Sequence, residues 1–143
     1  MKRETLAMEA YDDASHREEV MALWRTVFGY DAAHNDPGRA IDMKLQVRDG
    51  LFFVALVEDR VVGTAMAGYD GHRGWIYSIA VHPDCRRKGL GSALLQNAME
   101  KLLDRGCMKV NLQILQENQS VKRFYEANGF SVEERVSMGK KLY

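Results

Sequence analysis

Ile79-Ala80-Val81-His82-Pro83-Asp84-Cys85-Arg86-Arg87-Lys88-Gly89-Leu90-Gly91-Ser92-Ala93-Leu94-Leu95 reads as a strand that runs into a basic, glycine-bearing turn and opens directly into a helix. His82-Pro83 stops the strand, because proline has no N–H to give to a ladder. From Gly89 onward, Leu90, Leu94, Ala98 and Leu102 recur at helical spacing as far as Arg105, and Gly106 supplies the C-cap. The first amides of such a helix lack intrahelical acceptors, and the helix dipole puts partial positive charge there. Gly89 and Gly91 leave out the Cβ atoms that would hold an anion away. Arg86, Arg87 and Lys88 add positive charge at the rim, which makes the turn suited to a pyrophosphate.

Outward from this stretch, Trp75–Val81 reads as the strand, and Asp70-Gly71-His72-Arg73-Gly74 as the loop before it. Leu51–Val57 and Val61–Tyr69 form a hairpin about the polar turn Glu58-Asp59-Arg60. Glu4–Ala10 alternates as a first strand. Asp12 and Asp13 are N-cap candidates for a helix to Phe28, with Val20, Leu23, Trp24, Val27 and Phe28 inward and Gly29 ending it. Asp36-Pro37 announces a second helix that buries Ile41, Leu45 and Val47. Downstream, Lys109–Leu115 is a strand and Ser120–Asn128 a short helix ended by Gly129. Phe130–Val132 and Val136–Leu142 are expected to complete the sheet. The order is β-α-α-β-β-β-α-β-α-β-β, a mixed α/β (α+β) domain with one β-α-β crossover.

The 143 residues are 46% hydrophobic and 28% charged, with no low-complexity linker, and imply one folded domain over residues 1–143. Lys+Arg and Asp+Glu are equal at 20 each, so no global field favours nucleic acid or an anionic membrane. No apolar run approaches a membrane span, and the charged start leads into a strand and not a signal-peptide core. Cys85 and Cys107 have neither disulfide-framework nor zinc spacing. The expectation is a cytoplasmic protein with free thiols and no metal.

Two nucleotide patterns fail. Ser92-Ala93 follows Gly91 where a P-loop has Lys-[ST], and Leu94 stands where a dinucleotide fingerprint has its third glycine. Arg86-x-x-Gly89-x-Gly91 after Val81-x-Pro83, taken with Asn118-x-x-Val121-x-x-Phe124-Tyr125-Glu126-x-x-Gly129-Phe130, resembles the GNAT superfamily of N-acetyltransferases. Val121 departs from that family's common small residue. Gly68–Gly74 and the strand after it are similar to the YpeA-type branch. The resemblance implies a GNAT-like fold: a central, mostly antiparallel sheet with splayed fourth and fifth strands and about four helices. It also implies acetyl-CoA as co-substrate and transfer of its acetyl group to a primary amine on a small molecule, a peptide N-terminus or a lysine.

Carried over residue by residue, the resemblance implies that the backbone of Ile79, Ala80 and Val81 binds the pantetheine arm. The amides of Arg86, Arg87, Lys88, Gly89, Leu90, Gly91 and Ser92 would hold the pyrophosphate. Asn118 would hydrogen-bond the cofactor, and Tyr125 would serve as general acid toward the leaving thiolate. Each has a plainer reading: ladder residues, a solvated turn, a helix-entry residue and a core aromatic. Asp70 and His72 are the candidate bases for the incoming ammonium, and ordinary turn residues otherwise. Tyr69 and Tyr77 are candidates for an acceptor groove, with the loops around Tyr30–Asp36 and Asp70–Gly74. A non-catalytic acetyl-CoA sensor is the alternative function, and a nucleotide-binding α/β protein the third. Monomer and homodimer both remain open.

Overall fold

The computed structural model describes residues 5–29 and 36–142. They fall into two compact units, one ending at Leu112 and one starting at Gln113. The first unit contains β1 (Leu6–Ala10), α1 (Asp13–Phe28), α2 (Pro37–Val47), β2 (Phe52–Val57), β3 (Arg60–Tyr69), β4 (Gly74–Val81), α3 (Leu90–Leu103) and β5 (Val110–Asn111). The second contains α4 (Gln119–Ala127).

Local chemistry sets most of these boundaries. The Asp12 side chain accepts from the Ser15 N–H at the start of α1, and Gly29 closes it in the left-handed region at φ 63°. Asp36 caps α2 through the Arg39 N–H, with Pro37 in its first turn. The β2–β3 hairpin turns on Glu58 and Asp59, both at positive φ, as a two-residue primed turn demands. The first strand begins at Leu6, and Glu4 lies outside the described residues, as does the 30–35 part of the expected acceptor loop.

Strand order is β1-β2-β3-β4-β5. The first four pair antiparallel, and β5 pairs parallel with β4, as a crossover through α3 requires. One sheet face packs against α1 and α2: Val20, Leu23, Trp24 and Ile41 meet Phe52, Val54, Leu56, Val61, Met66 and Ala80. The other packs against α3, where Leu90 and Leu94 meet Ala55 and Ala65, flanked by Ile79 and Val81. This is the mixed α/β architecture with four helices that the pattern implied.

Three expectations need correction. Phe130–Val132 and Val136–Leu142 form no strand. Val132 is 71% exposed, Val136 87% and Met138 90%, so their alternation is not matched by alternating burial. The fifth strand is confined to Val110–Asn111, with Leu115 largely exposed. In α2, Leu45 and Val47 face solvent, and the inward stripe is Pro37, Gly38, Ile41 and Lys44. Lys44 can lie there because its Nζ donates to Asp49 Oδ2 at 2.9 Å and to the Ala67 carbonyl, satisfying a buried charge.

Gly63 is the tightest point beneath α3. A Cβ there would sit 2.7 Å from Leu94 Cδ1 and 3.2 Å from the Ala80 carbonyl oxygen, and Leu94 is fully buried. Gly63→Val is therefore expected to destabilise the protein by about 1.5 kcal/mol through overpacking, measured as a lower urea midpoint at unchanged slope. An unchanged midpoint would show that α3 yields freely. No helix among the described residues is long and apolar enough to cross a membrane.

Candidate active site

β4 changes character halfway along. Thr64 pairs with Ala80 and Met66 with Tyr77, so three steps on β4 match two on β3, which is a β-bulge. At the bulge Ser78 takes φ 54°, a left-handed conformation uncommon for a residue with a side chain. The β4–β5 ladder consists of two pairs, Gly74↔Val110 and Trp75↔Asn111. Beyond Trp75 the outer edge of β4 has no pairing partner in β5, the splay that the resemblance implied.

The direction of the edge amides follows from two bonds. The His82 N–H donates to the Val62 carbonyl of β3 at 2.8 Å, and the Gly74 N–H to the Lys109 carbonyl at 2.8 Å. Successive N–H groups on a strand alternate in direction. His82 and Ala80 therefore point toward β3, whereas Val81 and Ile79 point to the outer edge. Of the three strand residues expected to meet the cofactor, Ile79 and Val81 turn their amides to that edge, and the Ala80 amide faces into the sheet.

After β4 comes a 3-10 turn at Pro83–Cys85, where the His82 ring accepts from the Asp84 N–H. Arg87 and Gly89 adopt φ 65° and 75°. Gly89 is the N-cap of α3 and offers no capping side chain, and the first intrahelical bond runs from the Ala93 N–H to the Gly89 carbonyl. The amides of Leu90, Gly91 and Ser92 thus sit in the first turn, ahead of the intrahelical ladder and at the positive end of the helix dipole. One detail departs from the expected rim of mobile charge. Arg86 folds back, and its Nε donates to the Val81 carbonyl at 3.3 Å, bracing the turn.

The loop candidates are placed differently. Asp70 accepts from the N–H groups of Arg73 at 2.7 Å and His72 at 2.8 Å, and from the Trp75 indole at 3.4 Å. Those bonds, the Arg73 amide first, hold its carboxyl below the usual range. Gly74 and Ser78 are four strand residues apart, about 13 Å, so the loop lies well away from the Ile79 amide. Asp70 is thus a turn-forming carboxylate, poorly suited as a direct base, and His72 is exposed beside it. Of the groove tyrosines, Tyr69 donates to loop carbonyls, and Tyr77 is 41% exposed with Lys44 Nζ 5.3 Å from its ring centre.

In the second unit, Asn118 caps α4. Its Oδ1 accepts from the Val121 N–H at 3.4 Å and the Ser120 hydroxyl at 3.3 Å, the helix-entry job that was its plainer reading. Tyr125 is buried and packs edge-on against Phe124 and Phe130, with ring centres 4.9 and 5.5 Å away. Burial pushes its phenol up to about 12, so it stays protonated across the physiological range. Sequence reasoning missed Thr64. It is fully buried, accepts from the Trp24 indole N–H at 2.9 Å, and donates to the Ser78 carbonyl at 2.9 Å. A threonine in a strand gives no signal of this.

Comparison with known proteins gives the family and the fold. The Acetyltransferase (GNAT) family model matches residues 14–130. An acetyltransferase of Yersinia enterocolitica is 39% identical over 125 residues, covering 87% of this chain and 88% of its own length. The solved aminoglycoside N-acetyltransferase AAC(6')-Iy in complex with CoA superposes with a TM-score of 0.81 at 20% identity, covering 99% of this chain and 98% of that one. The ribosomal-protein-S18-alanine N-acetyltransferase from Escherichia coli gives 0.76 at 20% identity, over 89% and 78%. The two solved structures are alike in fold, and the family model and the Yersinia relative carry the assignment: this chain belongs to the GNAT acetyltransferase family.

Proposed function

We propose that the protein transfers the acetyl group of acetyl-CoA to a primary amine by direct attack of the amine on the thioester. The observation that carries this reading is the run of donors from the unpaired edge of β4 to the uncapped start of α3. The Ile79 carbonyl and the Val81 N–H, on the outer edge, can bond an extended amide-bearing arm as an added strand would. The first-turn amides of α3, with Arg87 and Lys88 beside them, suit the pyrophosphate. The family resemblance adds Asn118 as a further contact, made through the amide nitrogen that its capping role leaves to other partners.

Acetyl-CoA supplies an acyl carbon bonded to a good leaving group. The amine lone pair forms the new C–N bond as the carbonyl oxygen takes up negative charge, which the Ile79 N–H is directed to stabilise. The C–S bond then breaks, and the departing sulfur takes a proton, for which the family resemblance gives the Tyr125 phenol as donor. The amine gives up its own proton to water, with His72 able to relay it and Asp70 secondary. The placement of that loop favours water over either side chain as the immediate acceptor. The similarity of Gly68–Gly74 to the YpeA-type branch fits this class of enzyme and names no acceptor. The chain is read as one working domain, cytoplasmic, acting as monomer or homodimer without nucleic acid, membrane or metal.

Calorimetry with CoA, acetyl-CoA and ATP, followed by thiol release with a panel of small amines, polyamines and peptides, tests this. Binding of acetyl-CoA and CoA but not ATP, with thiol release for at least one amine, is expected. Binding without release across the panel would favour the sensor reading; ATP binding without CoA binding would overturn both.

A further inference from the structure

We infer that Thr64, anchored by Trp24, is a positioning residue that aims the Ile79 amide at the outer edge of β4. The inference rests on the proposed acetyl transfer for its catalytic consequence and on geometry for its structural part. Ser78 is held at φ 54° without glycine's freedom, so neighbouring contacts must fix it there. The contact that does so is the Thr64 hydroxyl, which donates to the Ser78 carbonyl at 2.9 Å. That hydroxyl accepts in turn from the Trp24 indole N–H at 2.9 Å, so its proton is committed to Ser78. Thr64 is 0% exposed and Trp24 1%, so water does not compete.

The consequence follows from the peptide plane. Ser78 C=O and Ile79 N–H belong to one peptide group, which is planar and trans, so the two point in opposite directions. Tethering the carbonyl toward β3 turns the Ile79 N–H outward. The relay therefore runs from α1, through β3, to the backbone donor at the bulge. Trp24 is itself fixed by stacking on Phe52, with ring centres 5.8 Å apart. No side chain of the relay touches the edge, so its influence acts through the orientation of one amide.

Thr64→Val keeps the shape and removes the hydroxyl; Thr64→Ser keeps the hydroxyl. With an amine found active on the wild type, Thr64→Val is expected to lower kcat about 10-fold at little-changed KM for acetyl-CoA, and Thr64→Ser to restore it. In ¹⁵N-labelled protein the Ile79 amide and Trp24 indole resonances should shift in the Val variant and return in the Ser variant. Wild-type kcat in Thr64→Val, or no recovery in a folded Thr64→Ser, overturns the inference. Should the wild type transfer acetyl to nothing, the functional reading falls alone. The relay is then judged by the resonances, and an unmoved Ile79 amide in Thr64→Val sinks it.

Discussion

Tyr125→Phe is expected to lower turnover about 100-fold, at the lower end of what a positioned proton donor contributes, while acetyl-CoA affinity stays within about twofold. The substitution removes one oxygen from a ring whose packing is aromatic. Phe124 and Phe130 meet it edge-on, and phenylalanine keeps those contacts. What is lost is the phenol proton, which is in place at neutral pH and which burial holds more tightly, up to about 12. The same shift fixes a sign. The folded chain holds this proton where the unfolded chain, with its phenol at the ordinary value of 10.0, releases it. Stability from this group is thus complete below pH 10 and is lost as pH rises toward 12. Thermal melts should therefore fall less steeply over that window in Tyr125→Phe than in the wild type. Unchanged turnover would remove the acid role; equal slopes would remove the burial argument.

Gly89→Asn is expected to weaken CoA binding about 30-fold, roughly 2 kcal/mol, in a protein that folds normally. A Cβ at Gly89 meets no atom within 4 Å, and the position asks only for φ 75°, which asparagine tolerates better than other side chains. The fold therefore accepts the change. The ligand should not, because an amide side chain at the mouth of α3 competes with a pyrophosphate for the first-turn N–H groups. Calorimetry against CoA and, in parallel, against pantetheine separates the contributions: the loss should appear with CoA and be nearly absent with pantetheine. Equal losses on both would move the effect to β4, and no loss would empty the cradle of its role.

Much of the architecture was legible because single residues punctuate it. Asp36-Pro37, Gly29 and the apolar stripe from Leu90 to Leu102 mark their elements through capping and periodicity alone. The site's frame was legible for the same reason, since Gly89 and Gly91 stand where a strand meets a helix. What stayed hidden depends on partners distant in sequence. Val136–Leu142 has a strand's alternation, but alternation states a preference for a half-buried sheet face and cannot supply one. Nothing in the sequence marks Lys44 as buried, because the carbonyl that answers its charge, that of Ala67, lies far along the chain. Ser78 carries no mark of its left-handed backbone, and Thr64 none of the hydroxyl bonds that keep it there. Asp70 and His72 were picked out by residue type, and only the length of β4 separates them from the bulge.

The extra residue in β4 also constrains how this gene can change. Ahead of Ser78, Ile76 is buried while Tyr77 stands open; after it, Ile79 and Val81 join the α3 layer and Ala80 the α1 layer. The two halves of the strand are one step out of phase. Losing the one extra codon would match β4 to β3 step for step and keep both halves on their present faces, whereas losing two would turn one half over. Shortening of this strand should therefore be tolerated by one residue and not by two.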